Sequence, residues 1–402
     1  MTAAANLRDG DGPLRDLRVL EIAEGIAGPV CGLQYADLGA TVYKLEPPDG
    51  DRAREWGPPM AGDDAAIFAH LNRGKKSVML DLAGAEDRRI LERILPWFDV
   101  VVVHMDPLER EECGIDWRAM QHRFPRVVLC EINDMGPVGP YAGRAGSELI
   151  LQALAGFPTF VGQKSGARPC RVGYEVGSVG AGMHAYIATM AGIYWRQRKN
   201  EGQYIAISAL GQLLSQLSIM FAARHSPDNW SGFHLNGPQW NPDIGWETSD
   251  GQVTFDFRHG EREGWAKFCA AVGLGHIPDH PDYKDWRSTI YIGDRKDEYG
   301  DVYRPAFKRL TSEQASGLIN DFGGISVKFN NFGEYLNHPQ VRFIDPLDRV
   351  PDAPEAVREQ IGSPFRMVGV PAAREHAPAP RLDADRAALF AACRVDATAA
   401  RR

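Results

Sequence analysis

The chain has 402 residues, too many for one small core and typical of two or three domains. Its composition, 44% hydrophobic and 24% charged, is that of an ordinary globular protein, and its formal net charge of -8 argues against a nucleic-acid partner. The six cysteines form no C-x-x-C pair, so neither a disulfide framework nor a metal site is indicated. Because the N-terminus lacks the apolar segment of a signal peptide, the sequence predicts a soluble, cytoplasmic protein.

Short apolar runs near the N-terminus predict buried strands that alternate with helical patterns. The runs are RVLEIA (18–23), TVYKLE (41–46), SVMLDL (77–82), DVVVVH (99–104) and RVVLCEI (126–132). Between the first two, Pro29 suits the first turn of a helix, and Gly39 suits the cap at its other end. This alternation predicts an α/β fold with a parallel, doubly wound sheet.

The most apolar stretch of the chain covers residues 176–195 and approaches the length of a membrane span. Its clustered Gly177, Gly180 and Gly182 favour a tightly packed internal helix instead. No membrane partner is therefore expected.

The character of the chain changes after this stretch, and the change predicts the domain organisation. A strand-like YIAIS (204–208) leads into a helical pattern, and an Asn-, Pro- and Gly-rich region then marks a boundary. The predicted segments are a large α/β domain over 1–200, a linker helix over 201–225, a small α+β domain over 226–330 and a return segment over 331–402.

Two generic functional motifs are disfavoured by the sequence. The EGIAGP turn after the first strand is not the G-x-G-x-x-G of a dinucleotide site. Ser178 and His184 could suggest a serine hydrolase, but the chain has no G-x-S-x-G around Ser178, and six residues along a helix place the two side chains on different faces.

Four longer stretches are more specific. They are LRVLEIAEGIAGPVCGLQYADLGATVYKLEPPDGDRAR, NRGKKSVMLDL, RVGYEVGSVGAGMHAYIATMAGIYWRQRKNEGQYIAIS and FNNFGEYLNHPQV. From about residue 15 to residue 345, the sequence resembles the family III (CaiB/BaiF-type) CoA-transferases. The resemblance implies a Rossmann-like large domain, a small α+β domain and a dimer of two chains threaded together like linked rings.

The resemblance also implies an activity, the transfer of CoA between carboxylic acids. In that family an aspartate attacks the donor thioester to give a mixed anhydride, and the CoA thiolate then returns to form an enzyme thioester. In this chain Ser178 stands at the position of the aspartate, and Glu175 is the nearest carboxylate in the sequence. A serine ester is a poor acceptor for a thiolate, so Ser178 is not expected to replace the aspartate.

Other positions depart from the family pattern in the same direction. By resemblance, Ala27, Lys75 and His104 are the candidates for contact with CoA, with His104 standing where many relatives have Asn. Glu112 replaces an Arg and would repel the CoA phosphates. The racemase branch of the family needs a histidine where this chain has Ser147 and Glu148, so that branch is disfavoured.

These departures predict a degenerate, non-catalytic subunit that pairs with a homologous catalytic subunit retaining the aspartate. A two-subunit member of the family, the succinyl-CoA:(R)-benzylsuccinate CoA-transferase of anaerobic toluene breakdown, suggests succinyl-CoA as donor and benzylsuccinate as acceptor. Two alternatives stay open. The chain is an active homodimeric transferase that uses Glu175, or it binds a CoA thioester without transferring it.

Overall fold

The structure is a computed structural model that describes residues 12–60, 64–159, 169–218, 221, 245–257, 262–281, 296–365, 367–370 and 374–395. The chain forms two compact units. The first contains residues 1–157, 171–218 and 345–402, and the second contains residues 158–170 and 219–344. Among the helices of the described ranges, none has both the length and the hydropathy needed to cross a membrane.

The first unit is built on a six-stranded sheet with the order β3-β2-β1-β4-β5-β6. Its strands are β1 (Arg18–Ala23), β2 (Thr41–Glu46), β3 (Lys76–Met79), β4 (Val100–His104), β5 (Val128–Asn133) and β6 (Tyr204–Ser208). Every neighbouring pair is parallel. This is the Rossmann strand order, so the predicted α/β class is confirmed, and β1 and β4 are the strands at which the chain reverses its direction across the sheet.

Helices cover both faces of this sheet. They are α1 (Ala27–Asp37), α2 (Ala66–Leu71), α3 (Ala85–Ile94), α4 (Pro107–Glu112), α5 (Trp117–Arg123), α6 (Glu148–Leu154), α7 (Val176–Lys199) and α8 (Ala209–Gln216). Side chains alternate along each strand, so that Leu20 and Val101 lie in one apolar core and Val19 and Val102 lie in the other. The sheet is therefore buried on both sides, as its continuous apolar runs predict.

The apolar stretch near the middle of the chain forms α7, which packs against α1, β5 and α8 as an internal helix. It ends at Asn200, which adopts a left-handed φ of 61°. Within the predicted linker 201–225, the described residues form β6, which pairs with β5, and then α8. The linker helix itself stays a prediction. Ser208 then caps α8 by accepting a hydrogen bond from the backbone N–H of Gly211 at 2.7 Å.

The second unit has an antiparallel sheet, β7-β8-β9, packed against helices. Its elements are β7 (Trp246–Glu247), β8 (Gln252–Asp256), α9 (Arg262–Ala271), α10 (Lys296–Phe307), α11 (Ser312–Asp321), β9 (Ile325–Lys328), α12 (Phe332–Asn337) and α13 (Pro339–Ile344). An aromatic core that includes Trp246, Trp265 and Phe268 holds it together. Residues 222–244, which contain the predicted start of the small domain, lie outside the described residues, and the predicted boundaries stay predictions.

The C-terminal residues belong to the first unit. They form the antiparallel pair β10 (Leu347–Arg349) and β11 (Glu359–Ile361), followed by α14 (Arg386–Cys393). Leu389 and Phe390 of α14 complete one of the two cores beside the large sheet.

Candidate functional site

Ser178 lies in the first turn of α7, where the side chain of Glu148 covers the start of the helix. One carboxylate oxygen of Glu148, Oε2, accepts hydrogen bonds from the backbone N–H and the hydroxyl of Ser178, at 3.0 and 2.9 Å. The other, Oε1, accepts from the backbone N–H of Gly177 at 2.7 Å and from Nε2 of Gln152 at 2.9 Å. Four donors therefore converge on one carboxylate.

This arrangement fixes the charge of Glu148. Partial burial by itself would raise the pKa of Glu148, but the hydrogen bonds from Gln152, Gly177 and Ser178 outweigh burial and lower that pKa. A negative charge at the N-terminus of a helix is also stabilised by the helix dipole. Glu148 is thus an ionised cap of α7, and the Ser178 hydroxyl donates its hydrogen bond to this carboxylate.

Sequence reasoning missed this contact, because Glu148 and Ser178 are 30 residues apart. The signal that could have found it is the SE dipeptide at Ser147 and Glu148. Ser147 caps α6 by accepting from the backbone N–H of Ile150 at 3.5 Å, and this cap places Glu148 in the first turn of α6.

Glu175, the alternative nucleophile, has a different environment. It directly precedes α7, and its side chain is 37% exposed. A carboxylate oxygen lies 2.5 Å from the guanidinium of Arg171, four residues earlier in the chain. The structure therefore places Glu175 beside the start of the helix, in an ion pair near the surface.

A buried amide from α8 lies against α7 at Gly180, two residues after Ser178. Gln212 of α8 is only 4% exposed, yet neither atom of its amide has a hydrogen-bond partner among the described residues. The amide rests directly on Gly180, since a Cβ at that position would meet its Nε2 at 2.1 Å. A glycine is therefore required at 180 to admit this side chain.

Lys75 lies inside the fold, beneath α1. Its ammonium is 2.7 Å from Oε2 of Glu21 and is also held by the carbonyl of Pro29 and the side chain of Asn72, each at 2.9 Å. Burial lowers the pKa of Lys75 to about 8 despite the carboxylate beside it.

The same glutamate binds a second ammonium. Lys44 is 2.9 Å from Oε1 of Glu21 and 2.7 Å from Oδ2 of Asp51, and all of these side chains are fully buried. A Cβ at Gly32 would lie 1.9 Å from the Glu21 carboxylate. The helix α1 can therefore pass over Glu21 only with glycine at position 32. We refer to Glu21, Lys44, Asp51 and Lys75 as the buried ion network.

A cavity of about 410 Å³ opens at the carboxyl ends of β1 to β4. Its apolar lining includes Ile22, Leu45, Leu80, Leu82 and Met105. Its acidic lining residues are Glu24, Asp81, Glu109 and Glu112. We call this space the sheet-edge cavity.

His104, at the end of β4, also lines the sheet-edge cavity. Its Nε2 lies 3.3 Å from Oδ1 of Asp134, whose other oxygen accepts from the backbone N–H of Gly146 at 2.6 Å. Burial alone would raise the pKa of Asp134, but these interactions lower it. The carboxylate of Asp134 therefore stays charged and orients the imidazole.

Comparison with known proteins identifies the family. Residues 14–386 match the family described as CoA-transferase family III. The chain belongs to CoA-transferase family III. It is 30% identical, over 289 residues, to the succinate–glutarate CoA-transferase of Agrobacterium fabrum, an alignment that spans 69% of this chain and 71% of that protein.

This family III chain is also similar in sequence to a named subunit and in structure to a solved protein. It is 29% identical over 194 residues, 48% of each chain, to the succinyl-CoA–L-malate CoA-transferase beta subunit of Chloroflexus aurantiacus. A crystal structure of a CaiB/BaiF family protein from Brucella suis superposes with a TM-score of 0.83, covers 95% of this chain and all of that one, and has 23% sequence identity. The resemblance predicted from the sequence motifs is thus confirmed.

Of the three family III positions predicted to contact CoA, the structure brings one to the sheet-edge cavity. His104 lines that cavity. Ala27 is buried at the start of α1, where its carbonyl approaches Gly182 of α7, and Lys75 is enclosed in the buried ion network. The contacts of these residues with CoA stay predictions.

Proposed function

We propose that this chain is a degenerate, non-catalytic subunit of a heteromeric family III CoA-transferase. The enzyme moves CoA from a donor such as succinyl-CoA to a carboxylic acid. The observation that carries the proposal is the arrangement at the start of α7, where the nucleophile position holds a hydroxyl and the adjacent carboxylate of Glu148 already accepts four hydrogen bonds.

The chemistry of transfer explains why this arrangement is unsuited to catalysis. A nucleophilic carboxylate must attack the thioester carbonyl with a free oxygen lone pair, and the CoA thiolate leaves as the mixed anhydride forms on the enzyme. The thiolate then attacks the enzyme's side of the anhydride and releases the donor acid. The oxygens of Glu148 are occupied, and its lowered pKa makes it a weak base for activating Ser178. The Ser178 hydroxyl itself would form an ester that a thiolate does not readily cleave.

The comparisons support a partner subunit and a class of substrate. One relative is itself named a beta subunit, and its name pairs succinyl-CoA with L-malate. The name of another pairs succinate with glutarate, so both names contain two dicarboxylic acids. The proposed partner is a homologous chain that retains the aspartate, interlocked with this one as a heterodimer or a higher oligomer. Benzylsuccinate, an aromatic dicarboxylic acid, is the acceptor that we propose.

Two alternatives to a non-catalytic subunit are less well supported. Transfer by Glu175 would need this carboxylate to leave Arg171 and to act about 5 Å, one helical turn, from the usual position. Misplacement on this scale is costly for group transfer. Binding of CoA without transfer has no supporting cation among the residues that line the sheet-edge cavity.

The test is CoA transfer by this chain alone and after co-expression with a homologous chain, encoded in the same genome, that retains the aspartate. Succinyl-CoA is supplied with benzylsuccinate, glutarate, malate or mesaconate, and acyl-CoA products are followed by chromatography. We expect product only from the co-purified pair. Glu175→Gln in this chain should leave the activity of the pair unchanged, and so should Ser178→Ala.

Transfer by the isolated chain would overturn the proposal. Loss of that activity in Glu175→Gln would then assign the nucleophile to Glu175. A glutamyl-CoA thioester trapped on the isolated chain and located by mass spectrometry would lead to the same conclusion.

A further inference from the structure

The strand β3 forms one edge of the large parallel sheet, where it pairs with β2. Along a strand, the backbone groups of successive residues point alternately to the two sides. The N–H of Leu80, directly after β3, donates to the carbonyl of Glu46 in β2 at 3.0 Å, so the even-numbered residues bond to β2. The N–H and C=O groups of Ser77 and Met79 therefore point out of the sheet and need other partners.

The C-terminal segment supplies partners for these outward groups. A carboxylate oxygen of Asp385 accepts from the N–H of Ser77 at 2.9 Å, and the N–H of Asp385 donates to the Ser77 carbonyl, also at 2.9 Å. A carboxylate oxygen of Asp383 accepts from the N–H of Met79 at 2.9 Å. The guanidinium of Arg386 donates to the Met79 carbonyl. Both outward donors and both outward acceptors are thus satisfied by residues 304 to 308 positions later in the chain.

We refer to residues 383–386 as the edge strap. Asp383 adopts a left-handed φ of 61°, a conformation that Asp and Asn tolerate better than most residues. Its N–H donates to the hydroxyl oxygen of Ser77 at 3.0 Å, and its carboxylate accepts from Nε of Arg386 at 2.8 Å. The strap covers β3 largely with side chains and then enters α14, so it does not extend the sheet by another strand.

Without the strap, the edge of β3 would be a surface for self-association. Unpaired N–H and C=O groups at a sheet edge accept another strand. In an antiparallel pair with a two-fold axis at Val78, Ser77 of one copy lies opposite Met79 of the other, and their outward groups bond to each other. The same surface then serves both copies, as in other two-fold interfaces. A second copy of this chain is therefore the partner that fits the uncovered edge.

We propose that the edge strap prevents β3 from pairing with β3 of a second copy of this chain. The carboxylates of Asp383 and Asp385 occupy the outward donors, and release of the strap opens the edge. Natural sheets protect their edges by several such means, including charged side chains and covering segments. This inference is independent of the proposed function, because it makes no use of Ser178 or of a catalytic partner.

Two pairs of substitutions test whether the acceptor oxygens of the strap protect the edge. Asp383→Gly with Asp385→Ala removes both acceptors, and glycine adopts the left-handed φ at 383 without strain. Asp383→Asn with Asp385→Asn keeps an acceptor oxygen at each position. Sedimentation velocity of the full chain over a wide range of concentration measures association. We expect the Gly/Ala pair to form larger species than the wild type as concentration rises, and the Asn pair to behave as the wild type.

Hydrogen exchange resolved by residue measures the opening of the edge itself. In the Gly/Ala pair, at a concentration at which it does not associate, the amides of Ser77 and Met79 should exchange at least about tenfold faster than in the wild type. The amide of Leu80 bonds to β2 and should keep its rate. If the Gly/Ala pair does not fold, Asp383→Gly alone frees the N–H of Met79 and is measured in the same two ways.

Two further variants locate the association. Met79→Pro removes the outward N–H from β3 at a position where proline spares the bonds to β2, so its addition to the Gly/Ala pair should abolish the added association. Asp16→Ala with Asp352→Ala removes two carboxylates from exposed positions away from β3. This control pair should sediment as the wild type does.

Several results would overturn the proposal. They are faster exchange at Ser77 and Met79 without added association, equal association in the Gly/Ala and Asn pairs, or association that persists after Met79→Pro. Equal association in the control pair would assign the effect to lost surface charge and would overturn it as well.

Discussion

Two glutamates, one within β1 and one directly after it, have opposite environments. Glu21 lies in the middle of the strand, fully buried, and each of its carboxylate oxygens contacts a lysine ammonium. Glu24 lies just beyond the strand, in the lining of the sheet-edge cavity, and has no ion pair among the described residues. Inside the sheet a charge persists only with partners, whereas at its carboxyl edge unpaired charges are retained at a place where ligands bind.

The largest expected effect comes from breaking the buried ion network. Lys75→Met removes one of the two ammonium groups on Glu21 and leaves the Asn72 side chain and the Pro29 carbonyl without their donor. Removing one member of a buried ion pair typically costs about 3–5 kcal/mol in the free energy of unfolding. Urea unfolding followed by circular dichroism measures this loss.

The neighbouring lysine provides the matched control. Lys76 is exposed, and its ammonium lies 5.3 Å from the centroid of the Tyr43 ring. Among the described residues it makes no ion pair. Lys76→Met should change the free energy of unfolding by less than about 1 kcal/mol. Equal effects of the two substitutions would show that Lys75 is not held as the structure describes.

An intermediate effect is expected at the cap of α7, where a well-partnered carboxylate lies near the surface. Glu148→Gln replaces one carboxylate oxygen with an NH₂ group, which cannot accept a hydrogen bond. This NH₂ group would face the N–H donor of either Gly177 or Ser178 and leave it without an acceptor. We expect a loss of about 1–3 kcal/mol in the free energy of unfolding. Glu175→Gln, in an ion pair with both side chains exposed, should lose less than about 1 kcal/mol.

The loss at Glu148 should also depend on pH. The folded-state pKa of Glu148 lies below its ordinary value of 4.5, so its contribution is fully present above pH 4.5 and is lost as the pH falls through the lowered value. The difference in unfolding midpoint between the wild type and Glu148→Gln should therefore shrink on acidification below pH 4.5. A difference that is constant from pH 7 to pH 3 would contradict the ionised cap.

The sequence predicted the fold far better than the site. Apolar runs placed β1, β2 and β6 with the observed ends, because a strand buried on both faces has a continuous apolar pattern that local reading detects. The contact between Glu148 and Ser178 could not be found in this way, since it joins two helices 30 residues apart. The burial of Lys75 was also hidden, because a lysine in a family motif looks the same whether it faces a ligand or a carboxylate inside the fold.

Gln212 departs from the rule that interior polar groups are partnered, and it gives the smallest predicted effect, with the opposite sign. Gln212→Met keeps an unbranched side chain against Gly180 and removes an amide that has no partner among the described residues, so it should stabilise the chain by about 1 kcal/mol. Gln152→Met removes an amide that bonds to Glu148 and should destabilise by a similar amount. Thermal and urea unfolding of both variants measure the two signs. Destabilisation by Gln212→Met would mean that its amide is satisfied in solution.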